Sequence, residues 1–224
     1  MIAHPDQVFA RVSPWLGWLV MSGSAPYRSA LGDELSARIL AHCDLTLPCF
    51  WLDMDGEPSP GMEITIEDIE PEFAAPIERI GVEDELPAED LEASLILMAG
   101  RNAERWVEMI ADTPLGTWLM GQLNAGGVVL AAGAAAAAIG SWVFPAGADT
   151  PGFKGAAWLP GAVLLPGIVE PAVHTEIRAH LAQTERSYAL GIPEDSTLSL
   201  GPEGQVEVWG GSAPKVVLGR GWLT

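Results

Sequence analysis

The residues of this chain best placed to do chemistry surround a tight turn in its second half. Gly133 and the alanines Ala134 to Ala138 directly follow the apolar run Val128 to Ala132. A strand-to-helix turn crowded with small residues is how a nucleophilic serine or cysteine is presented, because bulky neighbours would clash at the chain reversal. In this chain the place of the nucleophile carries a methyl group, which can neither attack nor give up a proton.

A second turn of interest ends the earlier apolar strand, Ser94 to Ala99. Ligands of open α/β sheets bind at the carboxyl ends of the strands, so the turns after Ala99 and Ala132 are expected to share one ligand pocket. Arg101 in the earlier turn has two interpretations, because it either fills the pocket or recognises a carboxylate. The residues predicted to line the pocket are Gly100, Arg101, Asn102, Gly133, Ala134 and Ala136.

Cysteine and histidine spacing gives no basis for a metal site. The two cysteines, Cys43 and Cys49, have no second pair and no nearby set of histidines that would complete a zinc site. We therefore predict no metal, no cofactor, and free thiols in a reducing compartment. The first residues also lack a basic segment leading into an apolar run with a small-residue cleavage site, so a cytoplasmic location is expected.

The charge of the chain argues against nucleic acid as a partner. The sequence has 30 Asp+Glu and 11 Lys+Arg, a formal net charge of −19, which repels a phosphate backbone. The acidic residues concentrate between Asp53 and Glu108. They are interpreted as a solvated face or, alternatively, as a surface for cationic partners.

One uncharged stretch is long enough to raise the question of a membrane span. No charged residue occurs between Asp112 and Asp149, and the middle of this stretch is rich in alanine and glycine. These residues gain little from transfer into lipid, and Gly126 and Gly133 punctuate the stretch as turns. A buried strand followed by a buried helix is the better interpretation, and no membrane association is predicted.

Apolar periodicity divides the chain into alternating strands and helices. In the first half the pattern predicts strands at 16–22, 47–52, 63–69, 77–82 and 94–99, helices at 29–42 and 103–111, and a helical turn at 85–92. In the second half it predicts a helix from Pro114 with Thr113 as N-cap, strands at 128–132 and 162–165, helices at 134–142 and 171–188, and β runs at 197–200, 206–209 and 216–218.

These elements predict one domain over residues 1–224, because no polar linker divides them. The predicted fold class is α/β, with a mostly parallel doubly wound sheet, helices on both faces and a C-terminal antiparallel β meander. The Gly- and Pro-rich loop 145–160 is expected to border a site, as long loops often do.

Five segments carry a resemblance to a known family. They read Ala-Ser-Leu-Ile-Leu-Met-Ala-Gly-Arg-Asn (93–102), Asp-Thr-Pro-Leu (112–115), Gly-Gly-Val-Val-Leu-Ala-Ala-Gly-Ala-Ala-Ala-Ala-Ala-Ile-Gly (126–140), Leu-Leu-Pro-Gly-Ile-Val (164–169) and Gly-Ile-Pro-Glu-Asp-Ser-Thr (191–197). Together they resemble the peptidase S51 family, which includes cyanophycinase and peptidase E. The resemblance covers roughly residues 94–218 and implies a class I glutamine amidotransferase-like fold.

The resemblance also implies positions for a serine-peptidase site. The nucleophile position falls on Ala135, the histidine on His174 and a carboxylate on Asp149. The second glycine of the family's elbow is Ala137 here, and the second glycine of the turn that helps form its oxyanion hole is Arg101. These departures predict a vestigial site with no intact catalytic residue. The alternatives are a partly buried hydrogen-bonding group for His174 and a solvated acid for Asp149.

Three functions compete on this basis. The preferred one is a catalytically inactive homologue of S51 peptidases that binds a small molecule or peptide or serves as a scaffold, as a homodimer or with an active paralogue. The alternative is an active serine-peptidase-like hydrolase of acidic peptides or amide-linked polymers with an unidentified nucleophile. Ser141 is predicted to lie nearly two helical turns beyond the elbow, too far to serve. The third is a purely structural subunit, for which the pocket would be filled.

The homodimer is predicted from the tryptophan content. Nine tryptophans are many for 224 residues, and most should belong to the core. Those in turns and in the tail, Trp158 and Trp222 especially, are candidates for a subunit interface, where aromatic residues are enriched.

Overall fold

The computed structural model of the chain describes residues 9, 15–24, 32–54, 76–88, 90–145 and 151–222. The predicted strand 63–69 and the predicted site residue Asp149 lie outside these ranges. Within them the chain forms two β-sheets and five α-helices. The α/β fold class predicted from the sequence is therefore confirmed.

The strands and helices alternate through most of the chain. The strands are β1 (Trp18–Ser22), β2 (Cys49–Asp53), β3 (Ile77–Gly81), β4 (Leu95–Gly100), β5 (Val128–Gly133), β6 (Gly140–Val143), β7 (Phe153–Lys154), β8 (Leu159–Pro166), β9 (Tyr188–Ile192), β10 (Ser196–Leu200), β11 (Val206–Gly210) and β12 (Lys215–Leu218). The helices are α1 (Gly32–Leu40), α2 (Ala103–Ile110), α3 (Pro114–Ala125), α4 (Ala134–Ile139) and α5 (Thr175–Gln183), with short 3-10 turns at Pro171–Val173 and Pro202–Gly204.

The larger sheet has seven strands in the order β11-β10-β1-β5-β4-β2-β3. The five strands from β1 to β3 in this order are parallel neighbours, and β10 and β11 extend the sheet antiparallel. Every residue of β1, β2 and β10 is buried. Burial on both faces explains why β1 and β2 are almost continuous apolar runs rather than alternating ones.

The smaller sheet has five strands in the order β12-β9-β8-β6-β7. Its inner pairs, β6 with β8 and β8 with β9, are parallel, and β7 and β12 close its two edges antiparallel. The predicted C-terminal meander is wrong in one respect, because β10 and β11 pair in the larger sheet whereas β12 crosses to the smaller one. The sequence pattern does not specify which existing edge a short β run joins.

Two predicted helices are shorter than expected, and a strand of the smaller sheet follows each of them. Helix 134–142 ends at Ile139, and Gly140 already begins β6. Helix 171–188 divides into the 3-10 turn, α5 and the strand β9. In both places the residues are compatible with a helix, and a neighbouring strand takes their backbone hydrogen bonds instead. The described part of 85–92 forms only a turn, with the Leu91 N–H donating to the Ala88 carbonyl at 3.0 Å.

Helix α3 follows its sequence signals closely. The Thr113 side chain accepts a hydrogen bond of 3.1 Å from the Gly116 N–H, and Pro114 occupies the first turn. The helix ends at Gly126, whose φ of 106° lies in the left-handed region that glycine adopts without strain. No helix among the described residues is long and apolar enough to cross a membrane.

The core lies mainly between the two sheets. One apolar cluster joins Leu19 and Met21 of β1 to Leu164 of β8 and Leu190 of β9, together with side chains of α2, α3 and α4. A second cluster packs α1 on the opposite face of the larger sheet, and a third packs α5 on the outer face of the smaller one. Trp158 belongs to the first cluster and is 5% exposed, so the structure does not place it on a surface that a partner could cover.

Candidate functional site

A cavity of about 910 Å³ opens where the carboxyl ends of β4, β5 and β8 meet. Its volume is in the range of sites that take small organic ligands. Both sheets contribute to it, as do the first residues of α2, α4 and α5. The residues that line it are Gly100, Arg101, Asn102, Ala103, Glu104, Gly133, Ala134, Ala137, Phe144, Pro145, Phe153, Leu165, Pro166, Ile168, His174, Glu176 and Ile177.

The backbone reversal between β5 and α4 is centred on Gly133. Its φ of 57° and ψ of −122° fall in a region that residues with a Cβ rarely adopt, at a cost of about 1–3 kcal/mol. A Cβ at this position would meet no atom within 4 Å. The conformation is therefore unfavourable for any other residue, but the space for a side chain is present beside the cavity.

The reversal does not fall on Ala135, the residue predicted to hold the place of the nucleophile. Ala135 lies inside α4, two residues after the reversal, and is 0% exposed within the first apolar cluster. Ala136, predicted to line the pocket, is likewise 0% exposed and belongs to the core. Gly133 is the one residue among 133–138 that adopts a positive φ without strain, so the glycine itself was the sequence signal for the tip of the turn.

The turn after β4 lies directly beside this reversal, because Gly100 pairs with Gly133 across the two parallel strands. Asn102 begins α2 as its N-cap, and its Oδ1 accepts a hydrogen bond of 3.1 Å from the Arg105 N–H. Arg101 is exposed at the edge of the cavity and leaves it open. This placement favours the interpretation in which Arg101 recognises a carboxylate over the one in which it fills the pocket.

His174 lines the opposite side of the cavity, just before α5. Its backbone forms the N-cap of the helix, but its imidazole makes no capping hydrogen bond, and the residue is half-buried. The structure therefore brings Gly100, Arg101, Asn102, Gly133, Ala134 and His174 to one cavity. Asp149, the predicted carboxylate, is outside the described residues.

Sequence analysis missed most of the apolar lining, which comes from the smaller sheet. Leu165 and Pro166 end β8 and Ile168 follows it, at the carboxyl end of a parallel strand that the rule used for β4 and β5 would also have selected. Phe153 lies within the loop 145–160 that was expected to border a site. Phe144 lies between the predicted helix 134–142 and the predicted loop 145–160, and Ile177 lies in a predicted helix, with no sequence signal that would place the two together.

Ser141 lies outside the cavity lining, in a strand rather than in the predicted helix. Its Oγ donates to the Leu159 carbonyl at 3.1 Å and accepts from the Gly161 N–H at 2.8 Å. Both contacts join β6 to β8, so this hydroxyl serves the smaller sheet. Among the described residues that line the cavity, none carries a hydroxyl or a thiol.

Behind the Phe144 ring lies a second histidine, His180 of α5. Its imidazole stacks on Trp142 with ring centroids 5.0 Å apart and meets Phe144 edge-on at 5.8 Å. Burial lowers the pKa of His180, because the protonated imidazole loses hydration there. The neutral ring therefore acts as an aromatic support for the wall of the cavity.

Neither cysteine lines the cavity, and the described residues that could bind a metal ion do not form a cluster. Cys43 and Cys49 are both free, and burial raises the pKa of the Cys43 thiol to about 12. The described ranges hold no cluster of three or more His, Cys, Asp or Glu side chains that could bind a metal ion. The described lining of the cavity thus offers one cation, two carboxylates, an amide, an imidazole and apolar surface.

Two solved structures are similar to this fold. A peptidase from an acI-B1 Actinobacterium aligns with a TM-score of 0.67 and 16% identity, covering 92% of each chain. A protein from Listeria monocytogenes EGD-e, named "Putative Peptidase E Protein", aligns with a TM-score of 0.57 and 9% identity over 88% of this chain and all of the other. No family profile and no curated protein sequence matches the chain. The chain therefore has a peptidase-like α/β fold.

Proposed function

We propose that this chain is a catalytically inactive relative of the S51 peptidases, and that it binds a small molecule or peptide in the cavity between its two sheets. The observation that carries the proposal is Gly133. A glycine occupies the strained tip of the β5–α4 turn, where peptidases of a nucleophile-elbow type would hold the attacking side chain.

The composition of the cavity supports the same proposal. Acyl transfer needs a hydroxyl or thiol within reach of a base, and the described lining has His174 as a base but neither of those nucleophiles. The open volume of about 910 Å³ supports ligand binding over a purely structural role. Loss of the nucleophile with retention of the pocket is what a binding protein derived from a hydrolase requires.

The direct test is hydrolysis. Purified protein is incubated with aspartyl dipeptides and with a cyanophycin-like polymer, and released amines are quantified by mass spectrometry. We expect no turnover above the buffer blank. Turnover that persists through purification and disappears in His174→Ala would overturn the proposal and favour the active hydrolase.

The position of the lost nucleophile has its own test, with a matched pair of variants. Gly133→Cys should react with iodoacetamide in the folded protein, because its side chain would extend into open space beside the cavity. Ala135→Cys should remain unlabelled, because position 135 is 0% exposed. Peptide mapping separates these sites from Cys43 and Cys49. Labelling at 135 but not at 133 would contradict the assignment of the tip to Gly133.

A homodimer and a cytoplasmic location remain part of this proposal, as does pairing with an active paralogue. The exposed edge strand β12, with Val216 and Leu218 41% and 36% exposed, supports a protein contact, and the two free cysteines support a reducing compartment. Light scattering at micromolar concentration tests the dimer. A monomer mass that stays constant across a hundredfold dilution series would contradict it.

A further inference from the structure

The cavity changes character from its floor to its mouth. Its floor is formed by Ala137, Leu165 and Ile177, which are 6%, 5% and 4% exposed. Two half-buried aromatic residues, Phe144 and Phe153, also line the cavity. A ligand that enters must therefore bury an apolar group at the bottom, since no polar side chain there could replace lost hydration.

The mouth of the cavity carries charges of both signs. Arg101 lies in the turn before α2 and Glu104 in the first turn of that helix, whereas Glu176 lies in the first turn of α5, two residues after His174. All three charged residues are exposed. With one arginine and two glutamates the mouth has a formal charge of −1 when His174 is neutral, within a protein whose net charge is −19.

These charges restrict the class of ligand. A dianion would be repelled by the field of the whole protein and by the two glutamates. A ligand that carries one positive and one negative group can place its carboxylate against Arg101 and its ammonium against Glu176. Arginine suits a carboxylate because its planar guanidinium forms two parallel hydrogen bonds.

We infer that the cavity binds a small zwitterion with an aromatic or branched apolar side chain, either a free amino acid or a short peptide of such residues. This inference rests on the proposed binding function. The apolar side chain lies on the floor between the Phe144 and Phe153 rings, and the two charged ends lie at the mouth. Acidic dipeptides, which carry an extra carboxylate, are disfavoured ligands.

Calorimetric titration of the full chain with four probes tests the ligand class and its source. The probes are leucyl-phenylalanine, free phenylalanine, aspartyl-leucine, and N-acetyl-leucyl-phenylalanine amide, which lacks both charges. We expect one or both of the apolar zwitterions to bind at least tenfold more tightly than aspartyl-leucine and the blocked peptide. The tighter of leucyl-phenylalanine and phenylalanine identifies the peptide or the free amino acid as the source.

Substitutions of residues that line the cavity test whether the zwitterion binds there. Arg101→Gln and Glu176→Gln should each weaken the preferred zwitterion about tenfold, in keeping with the loss of a hydrogen bond to a charged group. Phe153→Ala should weaken it by a similar factor through lost apolar contact. The matched controls are Arg38→Gln and Glu34→Gln on α1, whose exposed ion pair spans 3.9 Å and does not line the cavity. They should leave affinity unchanged.

The outcomes separate this inference from the proposed function. The inference that the ligand is an apolar zwitterion would be overturned by any of three results. These are tighter binding of aspartyl-leucine than of the apolar zwitterions, equal affinity for the blocked peptide, and no binding of any probe. Affinity lost equally in the α1 controls would also overturn it. Hydrolysis of a bound peptide, seen by mass spectrometry of the titration mixture, would overturn the inactive assignment while leaving the ligand class standing. Circular dichroism of each variant confirms that it is folded.

Discussion

One strand of the smaller sheet, β6, is reached along the chain differently from the strands of the larger sheet. Strands of the larger sheet are preceded by turns or loops, as where Gly126 and Gly127 end α3 before β5. In the smaller sheet, α4 runs into β6 at Gly140 with no intervening residue. The cavity lies where the two sheets meet, and the larger sheet supplies its backbone turns while the smaller one supplies its apolar wall. The proposed binding site thus depends on the region whose secondary structure is least evident in the sequence.

The largest effect is expected where both sheets share one core. Leu19 of β1 and Leu164 of β8 are each 0% exposed and belong to the same apolar cluster. Leu19→Ala and Leu164→Ala should each lower the free energy of unfolding by about 2–5 kcal/mol. Urea unfolding followed by far-UV circular dichroism and by tryptophan fluorescence should give one coincident transition for both variants. Two separate transitions would mean that the sheets are independent units.

The strained turn of the larger sheet gives the next effect. Gly133→Ala should cost about 1–3 kcal/mol of stability through backbone strain alone, because an added Cβ meets no neighbour. Its control is Gly121→Ala on α3, where a Cβ also meets nothing within 4 Å and no positive φ occurs. That control should gain about 0.5–1 kcal/mol from helix propensity. Equal effects at the two sites in urea unfolding would show that the turn is not strained.

A smaller effect is expected at the residues that precede two helices, Thr113 before α3 and His174 before α5. Thr113→Ala should cost about 1 kcal/mol, since the threonine side chain caps α3. His174→Ala should change stability by less than about 0.5 kcal/mol, because the imidazole makes no capping hydrogen bond and faces the cavity. Thermal unfolding measures both losses of stability. If His174→Ala lost as much stability as Thr113→Ala, this histidine would have a structural role.

The smallest expected effect is a dependence of stability on pH that comes from His180 of α5, the helix packed on the smaller sheet. Because the pKa of His180 is lowered in the folded state, its unfolded form binds protons first as the pH falls. The contribution of His180 to stability is therefore present above its unfolded value near 6.5 and is lost as the pH falls below it. The temperature of thermal unfolding should fall less between pH 8 and pH 5 in His180→Phe than in the unmodified chain. The same decrease in both proteins would contradict a contribution of His180 to the pH dependence of stability.

Much of the larger sheet could be predicted because its signals are local. Apolar runs of strand length bounded by glycine gave β1, β4 and β5, and the Thr113-Pro114 pair gave the start of α3. The same rules placed the turns at Gly100 and Gly133 at one edge of the sheet. These features follow from backbone geometry and hydrophobic periodicity, which act over a few neighbouring residues.

The smaller sheet and the details of the cavity were decided only by tertiary structure. Residues 140–143 and 188–192 are strands because neighbouring strands accept and donate their backbone hydrogen bonds, and the isolated segments do not encode that choice. The tip of the turn fell on Gly133 rather than Ala135 because Val128 to Gly133 remain paired with β4 up to the last residue, so the reversal begins only there. Among the small residues 133–138, the register of strand pairing fixes which one ends the strand beside the cavity, and that register is a property of the assembled sheet.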